Sequence, residues 1–181
     1  PTVLNRSFTT FLSFDFNVNP ITCGVFQEQG PGKIRGIESI KLDKSDIHKL
    51  CKHIIDHYAG CLGTVTGDAT GKNTSALVQD GINYYTVIKA KLRLADPQIK
   101  VPSVNPRVSE NRVLVNYAFQ TLDIKLDPVK CKGLIFDCQN VAVNDVGEID
   151  KGDRKNPKKR SDHLDGWRYY LNAFHRNILK S

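Results

Sequence analysis

Four aspartates in this 181-residue chain have the surroundings that metal-assisted phosphodiester chemistry would need: Asp15, Asp68, Asp162 and Asp165. Asp15 is the polar centre of the apolar run SFDFNVNP, Asp68 lies in TGDATG, and Asp162 and Asp165 share the stretch SDHLDGWRYYLNAF. Each has an ordinary reading as well: a strand residue facing solvent, a turn former with local hydrogen bonds, and acids favoured by the dipole near a helix start. What joins them is a hard, oxygen-only donor character, which suits Mg²⁺ or Mn²⁺ rather than zinc. Carboxylates from two strand positions and one helix could hold a pair of such ions. In two-metal sites the ions lie roughly 4 Å apart, one activating water and the other stabilising the leaving oxygen of a phosphodiester. The chain has 26 Lys and Arg against 19 Asp and Glu, a formal net charge of +7, which favours a polyanionic partner. Lysines and arginines would then hold phosphates while the acids hold metal.

The elements must bring these acids together. From residue 11 to 18 the pattern alternates, with Leu12, Phe14, Phe16 and Val18 on one face and Ser13, Asp15 and Asn17 on the other, so Asp15 points outward from the phenylalanine side of a strand. Asn19 and Pro20 mark a turn, ITCGVFQEQ reads as the antiparallel return, GPGK as the next turn and IRGIESIKL as a third strand. Ser45 is a suitable cap for a helix whose buried face is Ile47, Leu50, Cys51, Ile54, Ile55, Tyr58 and Ala59. CLGTVT then reads as a buried strand leading to Asp68. Residues 73–92 and 105–120 read as mostly helical, GLIFDCQNVAV as one more strand, and residues 162–179 as a closing helix.

At 100° per residue, that last helix places Leu164, Trp167, Leu171 and Phe174 on one side and Asp162, Asp165, Gly166, Tyr169 and Ala173 on the other. The small residues beside the acids would let it lie close against another surface. Strands grouped early, then strands alternating with helices, predict an α/β fold with a mixed central β-sheet flanked by helices on both faces.

Composition narrows the classes. The chain is the length of one domain, 1–181, and no apolar run is long enough for a membrane span or a secretory leader. Five cysteines, an odd number without a Cys-x-x-Cys pair, predict reduced thiols in a cytoplasmic setting, with neither disulfides nor structural zinc. The lack of any Met suggests a piece of a longer protein.

His53 and His57 have zinc-like spacing but fall on the polar side of their helix and read as solvated surface residues, while His163 is a weaker candidate ligand or proton shuttle. TGKNTS falls short of a phosphate loop, since position 66 is Thr and position 73 Asn. Lys72 and Asn73 become candidate DNA-phosphate contacts. So do Arg154, Lys155, Lys158, Lys159 and Arg160 of KGDRKNPKKR. The four tyrosines 84, 85, 169 and 170 read as packing residues, and nothing resembles a base-reading module.

SFDFNVNPITCGVFQ, VTGDATGKN and SDHLDGWRYYLNAF, in this order and at these separations, resemble the C-terminal nuclease domain of the phage terminase large subunit, over about residues 10 to 175. The resemblance implies a ribonuclease H-like fold and a divalent-metal-dependent endonuclease. Such an enzyme would cut concatemeric double-stranded viral DNA in the host cytoplasm with two Mg²⁺ or Mn²⁺ ions. It matches Asp15 to the first-strand aspartate, which would bridge both metals, and Asp68 to the acid ending the central strand, which would hold one. At the last helix both Asp162 and Asp165 match, with Asp162 slightly preferred because it is nearer the helix's open end. Gly166 stands where many relatives have Ala. The resemblance further implies an N-terminal ATPase motor on the longer chain, a small terminase subunit and a portal as partners, and a monomeric isolated domain. Two rivals stay open: another ribonuclease H-like nuclease such as a junction resolvase, and a non-catalytic basic DNA-binding module.

Overall fold

The computed structural model describes residues 4–17, 19–73, 82–141 and 160–180. Its sheet is built on the alternation seen in the sequence: β1 (Thr10–Phe16), β2 (Ile21–Glu28) and β3 (Lys33–Leu42) form an antiparallel meander. β4 (Leu62–Gly67) adds to β1 and β5 (Asp123–Leu126) to β3, both in parallel, so the order is β4-β1-β2-β3-β5. One face buries Leu12, Phe14, Cys23 and Ile40 against helices α1 (Ile47–Tyr58) and α2 (Tyr84–Leu92). The other packs Phe11, Phe26 and Ile34 against α3 (Val108–Thr121), α4 (Lys132–Asn140) and α5 (Asp162–Phe174). The predicted mixed sheet with helices on both faces is the observed architecture.

Several local expectations are corrected. Asp15 faces away from the phenylalanines as predicted, yet it does not face solvent: α5 covers that side and leaves the residue 4% exposed. GLIFDCQN lies in α4 instead of a strand, because Leu134 and Asp137 stand one helical turn apart on a buried stripe, and residues 142 and 143 of the run lie outside the described ones. Asp46, not Ser45, caps α1, its carboxylate accepting from Lys49 N at 3.0 Å, and Ile55 is 37% exposed. The closing helix stops at Phe174 and a separate 3₁₀ turn covers Arg176–Lys180. Of the helix expected over 73–92, Tyr84–Leu92 is seen and residues 74–81 lie outside the described ones. Val18 and the candidate contacts Arg154, Lys155, Lys158 and Lys159 also lie outside them. His53 is half-buried, its Nε2 3.1 Å from a Glu38 carboxylate oxygen, whereas His57 is exposed as expected. All five cysteines are free thiols, four of them buried.

The seating of α5 decides what can meet Asp15. Asp15 pairs with Thr22, Ser13 with Gly24 and Phe11 with Phe26 across β1 and β2. Over these rows α5 passes in order: Thr22 Oγ1 donates to Asp162 O at 2.9 Å, Ser13 Oγ donates to Gly166 O at 2.6 Å, and the Tyr170 ring stacks on Phe26. The helix therefore runs antiparallel to β1, with its first turn over the Asp15 row. Gly166 makes the close approach possible, since a Cβ there would come within 3.3 Å of Ser13 O. Trp167, Tyr170 and Leu171, all fully buried, anchor the opposite side of the helix.

Candidate active site

Strand register brings the first two acids side by side. β1 and β4 are parallel, Phe14 pairs with Gly67, and Asp68 N donates to Phe14 O at 2.9 Å, which sets Asp68 beside Asp15 at the carboxyl ends of neighbouring strands. Asp15 belongs to the side under α5, and Asp68, one residue beyond the end of β4, stands at the adjoining strand end. Both are buried, Asp15 at 4% and Asp68 at 7% exposure. Isolated carboxylates would be costly there, and each has partners. Asn17 Nδ2 donates to Asp15 Oδ2. Asp68 Oδ1 accepts from Thr70 N at 2.8 Å and from Asn105 Nδ2 at 2.7 Å, Asp68 Oδ2 from Thr70 Oγ1, and Tyr85 OH donates to Asp68 O at 2.8 Å. Asn105 also accepts from Ala69 N at 2.8 Å, which fixes the turn that carries Asp68.

From α5, Asp165 joins this group and Asp162 does not. Burial, and after it the carboxylates of Asp15, Asp165 and Asp68, push the pKa of the Tyr169 phenol up. Tyr85 responds likewise, to burial first and then to Asp68, Tyr169 and Asp15. Both phenols stay protonated, and Tyr85 directs its single O–H to the Asp68 backbone carbonyl. Asp165, 5% exposed, accepts from Ser161 Oγ at 3.0 Å through Oδ2. Its Oδ1 lies 2.6 Å from Arg168 Nη1 in a buried ion pair. Asp162 turns the other way, its Oδ2 3.0 Å from Arg160 Nε and 3.4 Å from Lys41 Nζ.

Of the candidate phosphate contacts, Lys72 donates to Val101 O at 2.8 Å, Asn73 is exposed where its N–H closes the turn on Thr70 O, and Arg160 is held by Asp162.

Asp137 is a residue the sequence reading passed over. From α4 its Oδ2 accepts from His163 N at 2.9 Å and Leu164 N at 3.1 Å, satisfying two of the first N–H groups of α5. Burial pushes its carboxyl up to about 6, against those two N–H donors, with Asp162 and Asp165 raising it further. His163, its ring against Gly133, is pushed down to about 4 by burial and by Lys41, so it is a neutral imidazole at pH 7. Asp137, raised above its unfolded value, contributes stability that is fully present below about pH 4 and is lost as pH rises through about 6. His163, depressed, contributes stability that is present above about pH 6.5 and is lost as pH falls through about 4. The two slopes oppose one another in the same window. Asp137→Asn keeps an oxygen acceptor for α5 but removes one slope, so thermal melting of the metal-free variant should fall more steeply than wild type between pH 6.5 and 4. Parallel melting curves would show that the pair does not govern this window.

As they stand, among the described residues no three His, Cys, Asp or Glu side chains close around a single point that could hold a metal ion. The donor set nevertheless fits a hard divalent cation: Asp15, Asp68 and Asp165, all buried, offer carboxylate oxygens. Mg²⁺ keeps several of its waters and is commonly bound through one or two carboxylates plus substrate phosphate, so partial enclosure is compatible with that use.

These acids stand on a ribonuclease H-like fold, the fold of phage large terminase nuclease domains. Similar solved structures are the large terminase (g2p) nuclease domain of bacteriophage SPP1 with bound Mn and the P22 large terminase nuclease domain. The first has a TM-score of 0.57 at 14% identity, over 91% of this chain and 85% of that one. The second has a TM-score of 0.58 at 12% identity, over 97% and 86%. No family model and no curated protein sequence matches the chain. At these identities the likeness is one of fold. Among the described residues no helix is long and apolar enough to cross a membrane.

Proposed function

We propose that this chain is the metal-dependent endonuclease domain of a viral DNA-packaging terminase, hydrolysing phosphodiesters of concatemeric double-stranded DNA. The observation that carries this reading is the β1–β4 register that sets buried Asp15 beside buried Asp68 at neighbouring strand ends, with buried Asp165 on the helix that covers Asp15, on a fold shared with terminase nuclease domains. Asp15, Asp68 and Asp165 would hold Mg²⁺ or Mn²⁺, as one ion or a pair, and the bound metal would lower the pKa of water and stabilise the leaving oxygen. The chain's own part is to fix the carboxylates. The parallel β1–β4 register places Asp15 beside Asp68, Thr70 and Asn105 hold Asp68, and Ser161 and Arg168 hold Asp165. Rigid elements of this kind suit a site that must keep its ligands in place. The net charge of +7 supplies the attraction for DNA. The ATPase motor, small subunit and portal belong to the same reading as partners of the longer protein.

The test is cleavage of supercoiled plasmid by the purified chain. Nicked and linear products should form with Mn²⁺ or Mg²⁺ and vanish when a chelator is added, and should return when metal is restored. Cleavage that persists at full rate in excess chelator would refute metal dependence. Binding of duplex DNA without cleavage under any divalent metal would favour the non-catalytic module instead.

A further inference from the structure

The row of the sheet that contains the acids continues past them. Asp15 pairs with Thr22, and Thr22 pairs with Lys41, so one register line crosses β1, β2 and β3 on the face under α5, with Asp68 beside its first member just past the end of β4. It begins with a carboxylate and ends with a cation. At Lys41 the surface opens into a cavity of about 410 Å³ between β3, α4 and the start of α5, where Lys132 and Arg160 join Lys41, and Asp162 and His163 form part of the wall.

We propose that this cavity is a phosphate-binding subsite for the DNA backbone, in which Asp162 organises the cations instead of holding metal. The proposal rests on the nuclease reading above. Four features carry it. First, Asp162 Oδ2 is shared by Lys41 Nζ at 3.4 Å and Arg160 Nε at 3.0 Å, and two cations so near would repel a divalent ion from that carboxylate. Second, the charges do not cancel: Lys41, Lys132 and Arg160 outnumber the two carboxylates of the wall, Asp162 and Asp137, and Asp137 is directed at the first N–H groups of α5. Third, Arg160 meets Asp162 through Nε, not through the bidentate fork that would engage both Nη groups. The side chains of Lys41 and Arg160 are about one third exposed, so phosphate oxygens can reach them.

Fourth, the spacing suits a continuous strand. Lys41 is two strands from Asp15, roughly 10 Å at the usual interstrand distance, while phosphates of one DNA strand advance about 3.4 Å per nucleotide along the axis. A phosphate a few nucleotides from a bond held at Asp15 and Asp68 therefore falls over the cavity. The subsite would grip the strand by charge without reading bases.

The test is binding of a fluorescein-labelled duplex oligonucleotide to the whole chain in EDTA, by anisotropy across a salt series, so that no cleavage intervenes. Lys41→Ala combined with Lys132→Ala should weaken binding about tenfold or more and flatten the dependence of log K on log salt by nearly two, about 0.9 for each phosphate no longer neutralised. Lys49→Ala combined with Lys52→Ala, on exposed α1 across the sheet, removes the same charge and should leave the slope near wild type. Melting temperature and Mn²⁺ affinity establish that each variant is folded. An unchanged slope in the Lys41 and Lys132 variant, or an equal loss in the α1 variant, would overturn the subsite. If the wild type cuts plasmid with Mn²⁺ while the slope is unchanged, the subsite alone fails. If the wild type neither cuts nor binds duplex, the nuclease reading fails with it.

Discussion

Asp15→Asn is expected to lower Mn²⁺-dependent plasmid cleavage by at least about a thousandfold, a loss of about 4 kcal/mol of transition-state stabilisation, without unfolding the protein. The substitution changes one oxygen for an amide and keeps the side-chain volume, so the packing of α5 over Ser13 and Gly24 is undisturbed. It also removes one negative charge from a buried group that already contains Asp68 and Asp165. Without metal those charges repel one another, and a neutral amide is less costly to bury than a carboxylate. Stability should therefore stay level or rise while activity collapses, and DNA binding in EDTA should hold or tighten. Opposite movements of activity and melting temperature separate a chemical role from a structural one, because a merely structural aspartate would lose both together. Cleavage near the wild-type rate in the Asn variant would remove Asp15 from the site.

How much of this was legible beforehand depends on the range of the interactions. The two-residue alternation around Asp15 placed it opposite the phenylalanines, and the helical spacing in SDHLDGWRYYLNAF put Asp165 and Gly166 on one stripe; both are local patterns and both are observed. What covers a face is not local. Nothing in SFDFNVNP states that α5 lies on the Asp15 side, so its alternation reads as an outward carboxylate although the residue is buried. β5 was missed because four residues with alternating half-exposure, at a sheet edge, carry little pattern. α4 was misread since a short apolar run fits strand and helix alike. Asn105 acts on Asp68 across 37 residues and Asp137 on α5 across 26, distances at which only the fold makes neighbours. Tyr169 carried a usable signal, four residues after Asp165 on the same helical face, which was read as packing.

The two helix aspartates illustrate the same limit, and their variants should part most sharply. Asp165→Asn is expected to weaken Mn²⁺ binding, measured by calorimetry on the whole chain, by at least about a hundredfold, since even outer-shell partners of metal ligands are worth roughly 10–100-fold. Asp162→Asn should hold Mn²⁺ affinity within about threefold, below the range expected even for an outer-shell partner. The sequence favours Asp162, which is nearer the open end of the helix and its dipole. Charge reverses that preference in the folded chain: Asp162 is shared by Lys41 and Arg160, whereas Asp165 is buried on the helix that covers Asp15. Asp165 also has a cation, Arg168, but that arginine is 5% exposed and follows it by one helical turn, so it holds the carboxylate from one side. A metal approaching from the Asp15 side would meet the acids first. The comparison is internal, because both substitutions remove one charge from the same turn of α5 and differ only in which neighbours lose it. Equal losses of affinity would place both acids on the metal, and a larger loss for Asp162→Asn would return the role to the residue nearer the helix start.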